Sequence, residues 1–227
     1  TTADDSDAVA IAQFLSRENG RRQTTERSIF QEAKQMVIDS GYNSDDCRAI
    51  VLGKEGWHPG VVGIVASRLV DTFCRPVVLL NYENGQAHGS ARSIAAMSIH
   101  DALQQCDALL ESWGGHKMAA GIRLSRTQVD AFRQAMIAYA NQHLSPEDLM
   151  PVIDVEAECR MSDLTPALVD QMMRLAPFGR GNPAPLLCLR GVHLERAPER
   201  VGREGKHLRL FLRQDNRVMP AIGFGMG

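Results

Sequence analysis

The stretch Gly56-Trp-His-Pro-Gly-Val-Val-Gly-Ile-Val-Ala-Ser-Arg68 decides the fold, because it leads from a loop into an apolar helix through glycines at 60 and 63. Glycines in this position let backbone N–H groups approach an anion at the start of a helix. Trp57 could stack on a base, and His58 could donate to a phosphate. The competing interpretation is close packing of helix on sheet with Trp57 as a core plug, and the residue types alone favour it.

Strands alternate with helices on both sides of this stretch. Residues 49–52 and 76–80 are apolar runs typical of buried strands, and Asn84-Gly85 is a hairpin signal that predicts an antiparallel return over residues 86–90. A further strand is predicted over 121–124, with helices over 61–71, 99–111 and from Ser125 to about residue 142. The pattern indicates an α/β fold in which helices cover a mixed sheet.

The first forty residues predict two helices. The first begins at Asp5 or Ser6 and ends near Asn19-Gly20, and the second begins at Thr24 or Thr25 and stops at Gly41. The residues expected to face inward are Val9, Ala12, Phe14 and Leu15 in the first helix and Ile29, Ala33, Met36 and Val37 in the second. We interpret residues 1–42 as connector helices, followed by an α/β domain over residues 43–146.

The segment Leu144-Ser-Pro-Glu-Asp-Leu-Met-Pro151 has the composition of a domain boundary. Short strands are predicted after it, over 152–159, 186–189, 207–213 and 218–222, with a helix over 165–175. Short strands with glycine-rich turns favour a small barrel, so residues 150–227 are expected to form a partial β-barrel of the OB type. Both ends of the chain suggest a fragment of a longer protein.

The predicted strand His207-Leu-Arg-Leu-Phe-Leu-Arg213 alternates and would present Arg209, Phe211 and Arg213 on one face. Charge for a backbone and an aromatic surface for bases suit a single-strand nucleic-acid binder. From Arg174 to Arg217 there are ten basic and four acidic residues, a local excess of six positive charges. A solvated face with one exposed phenylalanine explains the strand equally well, and both interpretations stay open.

The segment His88-Gly-Ser-Ala-Arg-Ser93 places Ser90 and Arg92 on one face of an extended strand. A hydroxyl beside a guanidinium fork matches a phosphate group. An ordinary arginine at the end of a strand is the alternative, and the residues alone do not choose between the two.

The run Gly114-Gly-His-Lys-Met-Ala-Ala-Gly121 is the most specific of these segments. Gly114 and Gly115 permit close approach of the main chain to a ligand, and His116 supplies a donor. A tight turn with an exposed histidine is the alternative, but it does not account for the joint run of glycines, histidine and small residues.

Several function classes lack their signature. The sequence has no P-loop, no G-x-S-x-G elbow and no cluster of Asp and His at metal-site spacing, so no catalytic residue and no metal ligand is assigned. No run of eighteen apolar residues is present, and five scattered cysteines are typical of reduced thiols in a cytoplasmic protein.

Taken together, these segments resemble the DHH phosphoesterase superfamily, and within it the RecJ family of bacterial exonucleases. Residues 56–68, Gly89-Ser-Ala-Arg-Ser93 and residues 114–121 are similar, in order, to the motifs of the DHH-associated domain. Arg174-Leu-Ala-Pro-Phe-Gly-Arg-Gly-Asn-Pro-Ala-Pro185 is similar to the family segment that leads into the OB barrel.

The resemblance implies a single-stranded-DNA-specific 5′→3′ exonuclease of recombination and repair, working with Mn²⁺ or Mg²⁺ held by a DHH domain. The Asp-His-His signature of that domain does not occur here, so this chain is expected to bind DNA without hydrolysing it. Ser90 and Arg92 match positions that hold the 5′-terminal phosphate, and Gly114, Gly115 and His116 match the motif that closes over the nucleotide. A single-strand-binding protein is an expected partner.

Two alternatives remain at this point. One is a phosphodiesterase of the same superfamily that acts on short oligoribonucleotides or cyclic dinucleotides. Relatives of that kind usually lack an OB barrel, so residues 186–226 argue against it. The other is a non-catalytic nucleic-acid-binding module like the related domain of alanyl-tRNA synthetases, against which the segment 174–185 argues.

Overall fold

The structure, a computed structural model, describes residues 5–227. The chain forms two compact units, the first ending at Pro151 and the second beginning at Val152. No helix in the described range is long and apolar enough to cross a membrane.

The first unit is built on a five-stranded sheet with the strand order β1-β2-β3-β5-β4. Its strands are β1 (Ile50–Glu55), β2 (Val77–Glu83), β3 (Gln86–Arg92), β4 (Ser112–His116) and β5 (Ala119–Ser125). Its helices are α1 (Asp5–Asp39), α2 (Pro59–Phe73), α3 (Ile99–Gln105) and α4 (Val129–His143). β1 and β2 are parallel and the other neighbours are antiparallel, so the predicted mixed sheet is confirmed.

The two faces of the sheet bury different sets of side chains. On one face, residues such as Val51, Val78 and Leu124 pack with α3 and α4 in a cluster that extends over β1, β2, β3 and β5. On the other face, the buried cluster joins α1 and α2 to β1 and β2 only, through residues such as Leu52 and Leu79. The apolar core on the second face is therefore limited to β1 and β2, while α2 also lies against Ser90 and Arg92 of β3.

The predicted hairpin between β2 and β3 is confirmed. Asn84 and Gly85 have φ values of 50° and 76°, as a two-residue turn with both central residues in the left-handed region requires. The pairing runs from Glu83 with Gln86 to Val77 with Arg92, so the turn fixes which residues of β3 share a face.

The prediction of two N-terminal helices is wrong, because α1 continues without a break through Asn19-Gly20. The hydroxyls of Thr24 and Thr25 donate to the carbonyl oxygens of Gly20 and Arg21, four residues earlier, instead of capping a new helix. Asn19 accepts from the Arg22 guanidinium across the expected break. A mid-helix glycine costs only about 1 kcal/mol, which such local contacts offset.

The inward orientation predicted for the first half of α1 is also wrong. Val9, Phe14 and Leu15 are each more than half exposed, at 56%, 54% and 59%. The second half behaves as predicted, since Ala33 and Val37 are fully buried against α2 and the sheet. Periodicity identified an apolar face, but burial needs a partner element, and among the described residues the second half of α1 packs against α2 and the sheet.

Two further elements differ from the sequence prediction. The helix expected over 99–111 ends at Gln105, and a 3₁₀ turn over Asp107–Leu109 follows it. The tight turn considered as an alternative at Gly114-Gly115 is not present, because these residues belong to an edge strand, β4, which pairs with β5 from Ser112–Arg123 to His116–Ala119. Glycine-rich sequence predicts a loop, but the edge position needs few apolar contacts, and pairing with β5 supplies its hydrogen bonds.

The second unit contains one helix, α5 (Pro166–Met173), and two small sheets among the described residues. β6 (Ala157–Cys159) and β7 (Leu187–Leu189) pair in parallel, and the strand predicted over 152–159 is shortened to its last three residues. β8 (His193–Leu194), β9 (Glu199–Val201), β10 (His207–Gln214) and β11 (Arg217–Gly223) form the second sheet, with β10 at its centre.

Glu32 ties α1 to the loop between β1 and α2. Its carboxylate accepts a hydrogen bond of 2.7 Å from the indole N–H of Trp57 and forms an ion pair with Lys54. The Lys54 hydrogen bond, followed by that of Trp57, lowers the pKa of Glu32 below its ordinary value of 4.5. The ionised carboxylate is therefore the form that stabilises this junction.

We expect Glu32→Gln to lower the free energy of unfolding by about 1 kcal/mol near neutral pH. This is less than the contribution of a buried charged hydrogen bond, because the site is partly exposed. A lowered folded-state pKa gives stability that is present above the ordinary value of 4.5 and is lost as the pH falls through the folded-state value. Denaturant unfolding at neutral and acidic pH should show the difference shrinking in acid. Glu18→Gln, which removes an exposed pair with Arg21, is the matched control. An equal loss at both pH values would contradict the role of the ionised form.

Candidate phosphate-binding site

Paired residues on β3, β5 and β4 form rows across the uncovered part of the sheet face on the α2 side. The middle row is Ser90–Gly121–Gly114. Ser90 therefore stands beside two glycines, and added Cβ atoms at Gly121 and Gly114 would meet nothing within 4 Å. This row forms an open floor with one hydroxyl at its edge.

The next row is Arg92–Ala119–His116. The small side chain of Ala119 separates the guanidinium from the imidazole by two strand spacings, about 10 Å between backbones. His116 is exposed at the end of β4, and Arg92 is half-buried on the side of α2. The sequence prediction grouped Ser90, Arg92, Gly114 and His116 by family resemblance, and the register brings them onto one face.

Gly63 on α2 provides the space in which Arg92 and Ser90 meet. A Cβ atom at Gly63 would lie 2.7 Å from Nη2 of Arg92 and 3.3 Å from Oγ of Ser90. The guanidinium and the hydroxyl therefore point to the same place beneath α2. The sequence suggested that the glycines of this segment let backbone N–H groups approach an anion. In the structure, Gly63 instead makes room for the side chain of Arg92.

Arg92 is a cation without an anionic partner in the part of the chain that the structure describes. Its Nη1 donates to the carbonyl oxygen of Ala91 at 2.8 Å, and it forms no ion pair with a carboxylate there. Burial lowers its pKa, although a guanidinium remains charged at any ordinary pH. A partly desolvated, unpaired charge gains free energy when an anion binds beside it.

A cleft of about 460 Å³ opens beside this group, between the start of α2 and strands β3, β5 and β4. Eleven residues line it, and none of them is an aspartate or a glutamate: Pro59, Val62, His88, Gly89, Ser90, Ser112, Trp113, Gly114, Gly121, Ile122 and Arg123. The cleft is therefore suited to an anionic ligand.

Gly115 has a structural role that differs from that of Gly114. A Cβ atom at Gly115 would lie 2.5 Å from Cα of Ala120 on the neighbouring strand, so a side chain would push β4 away from β5. Gly114 instead faces the cleft. Gly115 thus allows β4 to pair closely with β5, whereas Gly114 leaves space in the cleft.

His88, Arg123 and Ser112 also line the cleft but were absent from the sequence prediction. They form the row next to Ser90, since His88 pairs with Arg123 and Arg123 with Ser112. Nε of Arg123 donates to Nδ1 of His88 at 3.0 Å. The two-residue period that joined Ser90 to Arg92 would have found His88, but Arg123 required the register of β5.

Trp57 takes the packed position that its residue type favoured, whereas the phosphate contact suggested for His58 stays a prediction. Trp57 is 2% exposed and hydrogen-bonded to Glu32, so its ring packs in the core and is not available to stack on a base. His58 is the N-cap of α2, where its Nδ1 accepts from the N–H of Gly60 at 3.0 Å. Its free N–H therefore belongs to the other ring nitrogen.

In the second unit, Arg209, Phe211 and Arg213 share a face of β10, but their polar groups are already engaged. Arg213 pairs with Glu195, and Arg209 lies 3.5 Å from Glu199. The guanidinium of Arg196 covers one face of the Phe211 ring at 3.7 Å from its centroid. Neighbouring strands thus supply carboxylates that the alternation within β10 does not reveal, and the substrate contact predicted for Arg209, Phe211 and Arg213 stays a prediction.

The described residues do not supply a divalent-metal site. No group of three or more His, Cys, Asp or Glu side chains between residues 5 and 227 lies close enough together to hold a metal ion. No aspartate or glutamate lines the cleft, so it lacks the carboxylate oxygens that Mn²⁺ and Mg²⁺ prefer.

Comparison with known protein families assigns both units. The DHHA1 domain family matches residues 46–142, which include the whole cleft, and the RecJ OB domain family matches residues 155–227. These matches define an α/β DHHA1 domain followed by an OB domain. The chain belongs to the RecJ family.

Individual relatives agree with this assignment over most of the chain. The single-stranded-DNA-specific exonuclease RecJ of Bacillus subtilis is 36% identical over 226 residues, 99% of this chain but 28% of the relative. That of Thermus thermophilus is 36% identical over 214 residues, 93% of this chain and 29% of the relative. The crystal structure of Thermus thermophilus RecJ with Mg²⁺ superposes with a TM-score of 0.80 at 31% identity, covering 100% of this chain and 33% of that one. The chain therefore spans less than a third of the length of these two relatives.

We expect Gly63→Ala to displace the Arg92 guanidinium without unfolding the protein. Alanine is favoured over glycine in a helix by about 1 kcal/mol, so the melting temperature should be unchanged or higher. The Arg92 side-chain N–H resonance in NMR spectra should shift, because the new methyl group occupies the position 2.7 Å from Nη2. Gly114→Ala adds a methyl group with nothing within 4 Å and should leave that resonance in place. An unmoved Arg92 in Gly63→Ala would show that α2 does not confine it.

Proposed function

We propose that this chain holds the 5′ end of single-stranded DNA for a single-strand-specific 5′→3′ exonuclease whose catalytic metals lie elsewhere in the protein. The observation that carries the proposal is Arg92, a partly buried guanidinium with no carboxylate partner among the described residues. It lies beside the Ser90 hydroxyl, at the edge of a cleft that no aspartate or glutamate lines. The names of the Bacillus subtilis and Thermus thermophilus relatives support the substrate class.

A terminal phosphate fits this position better than an internal one. A 5′-terminal phosphate monoester carries more negative charge than a phosphodiester and has three free oxygens. Such a group accepts from the guanidinium fork and from the Ser90 hydroxyl at the same time. Gly63 of α2 lies close to both Arg92 and Ser90, and limited space at this position favours a chain terminus over a continuing strand.

His116 and the glycine floor complete the proposed site. Gly114 and Gly121 leave space for a sugar or base above the sheet, and exposed His116 lies at the end of the row that begins with Arg92. We assign to His116 a hydrogen bond to the nucleotide that follows the terminal phosphate.

Divalent metal ions belong to the function of the longer protein in this proposal. The Thermus thermophilus RecJ structures were solved with Mg²⁺ and with Mn²⁺. When bound, such ions supply an activated water and stabilise the leaving oxygen. The residues of this chain bind the strand and orient it.

The remaining proposals rest on the family alone. They are a role in DNA repair and recombination, a cytoplasmic location and a single-strand-binding protein as partner. We also assign a connector to residues 1–42, the substrate-binding domain to 43–146 and a partial OB domain to 150–227, which is consistent with the division after Pro151.

We expect the chain to bind a 5′-phosphorylated single-stranded oligonucleotide about tenfold more tightly than its 5′-hydroxyl counterpart, and Arg92→Gln to abolish the difference. Fluorescence anisotropy with both oligonucleotides measures it, at several salt concentrations because phosphate contacts weaken with salt. Arg126→Gln is the matched control, since Arg126 lies over the Tyr82 ring and does not line the cleft. Equal affinity of the wild-type chain for the two oligonucleotides would overturn the proposed terminal-phosphate site.

We further expect the 227-residue chain to leave single-stranded DNA intact in the presence of Mn²⁺ or Mg²⁺, because its described residues offer no metal site. Incubation of labelled oligonucleotide with purified chain, followed by denaturing gel electrophoresis, tests this. Metal-dependent release of mononucleotides that survives further purification would show that this chain contains a catalytic centre.

A further inference from the structure

One row of residues on the α2 side of the sheet is polar across all five strands. The register pairs Lys54 with Asn81, Asn81 with His88, His88 with Arg123 and Arg123 with Ser112. The row that contains Ser90 begins instead with two leucines, Leu52 and Leu79. Apolar packing between the sheet and its helices does not account for a polar row of this length.

The β1 and β2 members of this row do not account for an anion site. Lys54 is paired with Glu32. Asn81 is 6% exposed, and its Oδ1 has no hydrogen-bond partner, but this oxygen is an acceptor and would repel a phosphate oxygen. The anion-binding capacity of the row therefore lies in His88, Arg123 and Ser112, the three that line the cleft.

Arg123 and His88 hold each other in an orientation that leaves donors free. Nε of Arg123 donates to Nδ1 of His88, which places the proton of the neutral imidazole on Nε2. The two Nη groups of Arg123 have no hydrogen bond or ion pair to the described residues. A fixed guanidinium with free donors in an acid-free cleft suits a second phosphate.

The distance between the two rows determines which parts of one ligand can contact both. His88 is two residues from Ser90 along β3, a separation of about 7 Å at the rise of a strand. This is close to the length of one nucleotide in an extended single strand. A strand whose terminal phosphate lies at Ser90 and Arg92 would bring a following phosphodiester to the row of Arg123.

We propose that Arg123 and His88 form a second phosphate-binding locus in the cleft, which takes a phosphodiester downstream of the 5′-terminal phosphate. This inference rests on the proposed function, because it places the terminal phosphate at Arg92. It adds that the DHHA1 domain of this chain contacts at least two successive phosphates through different residues.

The test uses the 227-residue chain and 5′-phosphorylated trithymidylate, with either normal phosphodiester or uncharged methylphosphonate linkages. The wild-type chain is expected to bind the methylphosphonate form about five- to tenfold more weakly, the effect of losing a charged hydrogen bond at a partly exposed site. Arg123→Gln is expected to bind both forms equally and still to prefer a 5′-phosphate over a 5′-hydroxyl. Arg126→Gln should behave as the wild type, and His88→Ala should show a reduced linkage effect.

The outcomes separate this inference from the proposed function. If Arg123→Gln keeps the wild-type difference in affinity between the phosphodiester and methylphosphonate forms, with an unchanged melting temperature, the proposal of a second phosphate-binding locus is wrong. The proposed terminal-phosphate site would be unaffected by that result. A wild-type chain that ignores the 5′-phosphate would overturn the proposed function instead. Loss of both effects in Arg123→Gln would also overturn the inference, because the two loci would then not be separate.

Discussion

The cleft depends on incomplete coverage of one face of the β-sheet. α2 and the second half of α1 bury the β1 and β2 part of this face, and the buried cluster on that side includes no residue of β3, β4 or β5. The opposite face is packed with α3 and α4 from β1 to β5. One face of the sheet thus has a core that extends from β1 to β5, and the part of the other face beyond that cluster carries polar residues that a core would not tolerate.

The composition of β3, β5 and β4 follows from this arrangement. Residues that face α3 and α4, such as Ala91 and Leu124, are fully buried, while their neighbours along the strands are serine, arginine, histidine and glycine. The side chain of Arg92 reaches the border between the covered and uncovered regions. There Gly63 lets a charged group approach a helix that otherwise packs through valines and leucine.

Local sequence pattern predicted the parts of this site that depend on one strand or one turn. The Asn84-Gly85 turn fixed the pairing of β2 with β3, and the two-residue period placed Ser90 and Arg92 together. What it could not predict depends on partners distant in sequence. Gly20 does not end α1, since neighbouring side chains bridge it. The residue types favoured a packed Trp57, but they did not identify Glu32, 25 residues earlier, as the acceptor of its N–H. Arg123 joins the cleft only through the register of β5.

The ion pairs of the second unit partly neutralise its positive charge. Arg190, Arg196, Arg209 and Arg213 each lie against a glutamate, respectively Glu158, Glu199, Glu199 and Glu195. These arginines hold fewer mobile counterions than isolated charges would. An anion that approaches one of these arginines competes with a carboxylate of the protein for the guanidinium. The number of basic residues in this unit therefore overstates the positive charge that is available to an anion.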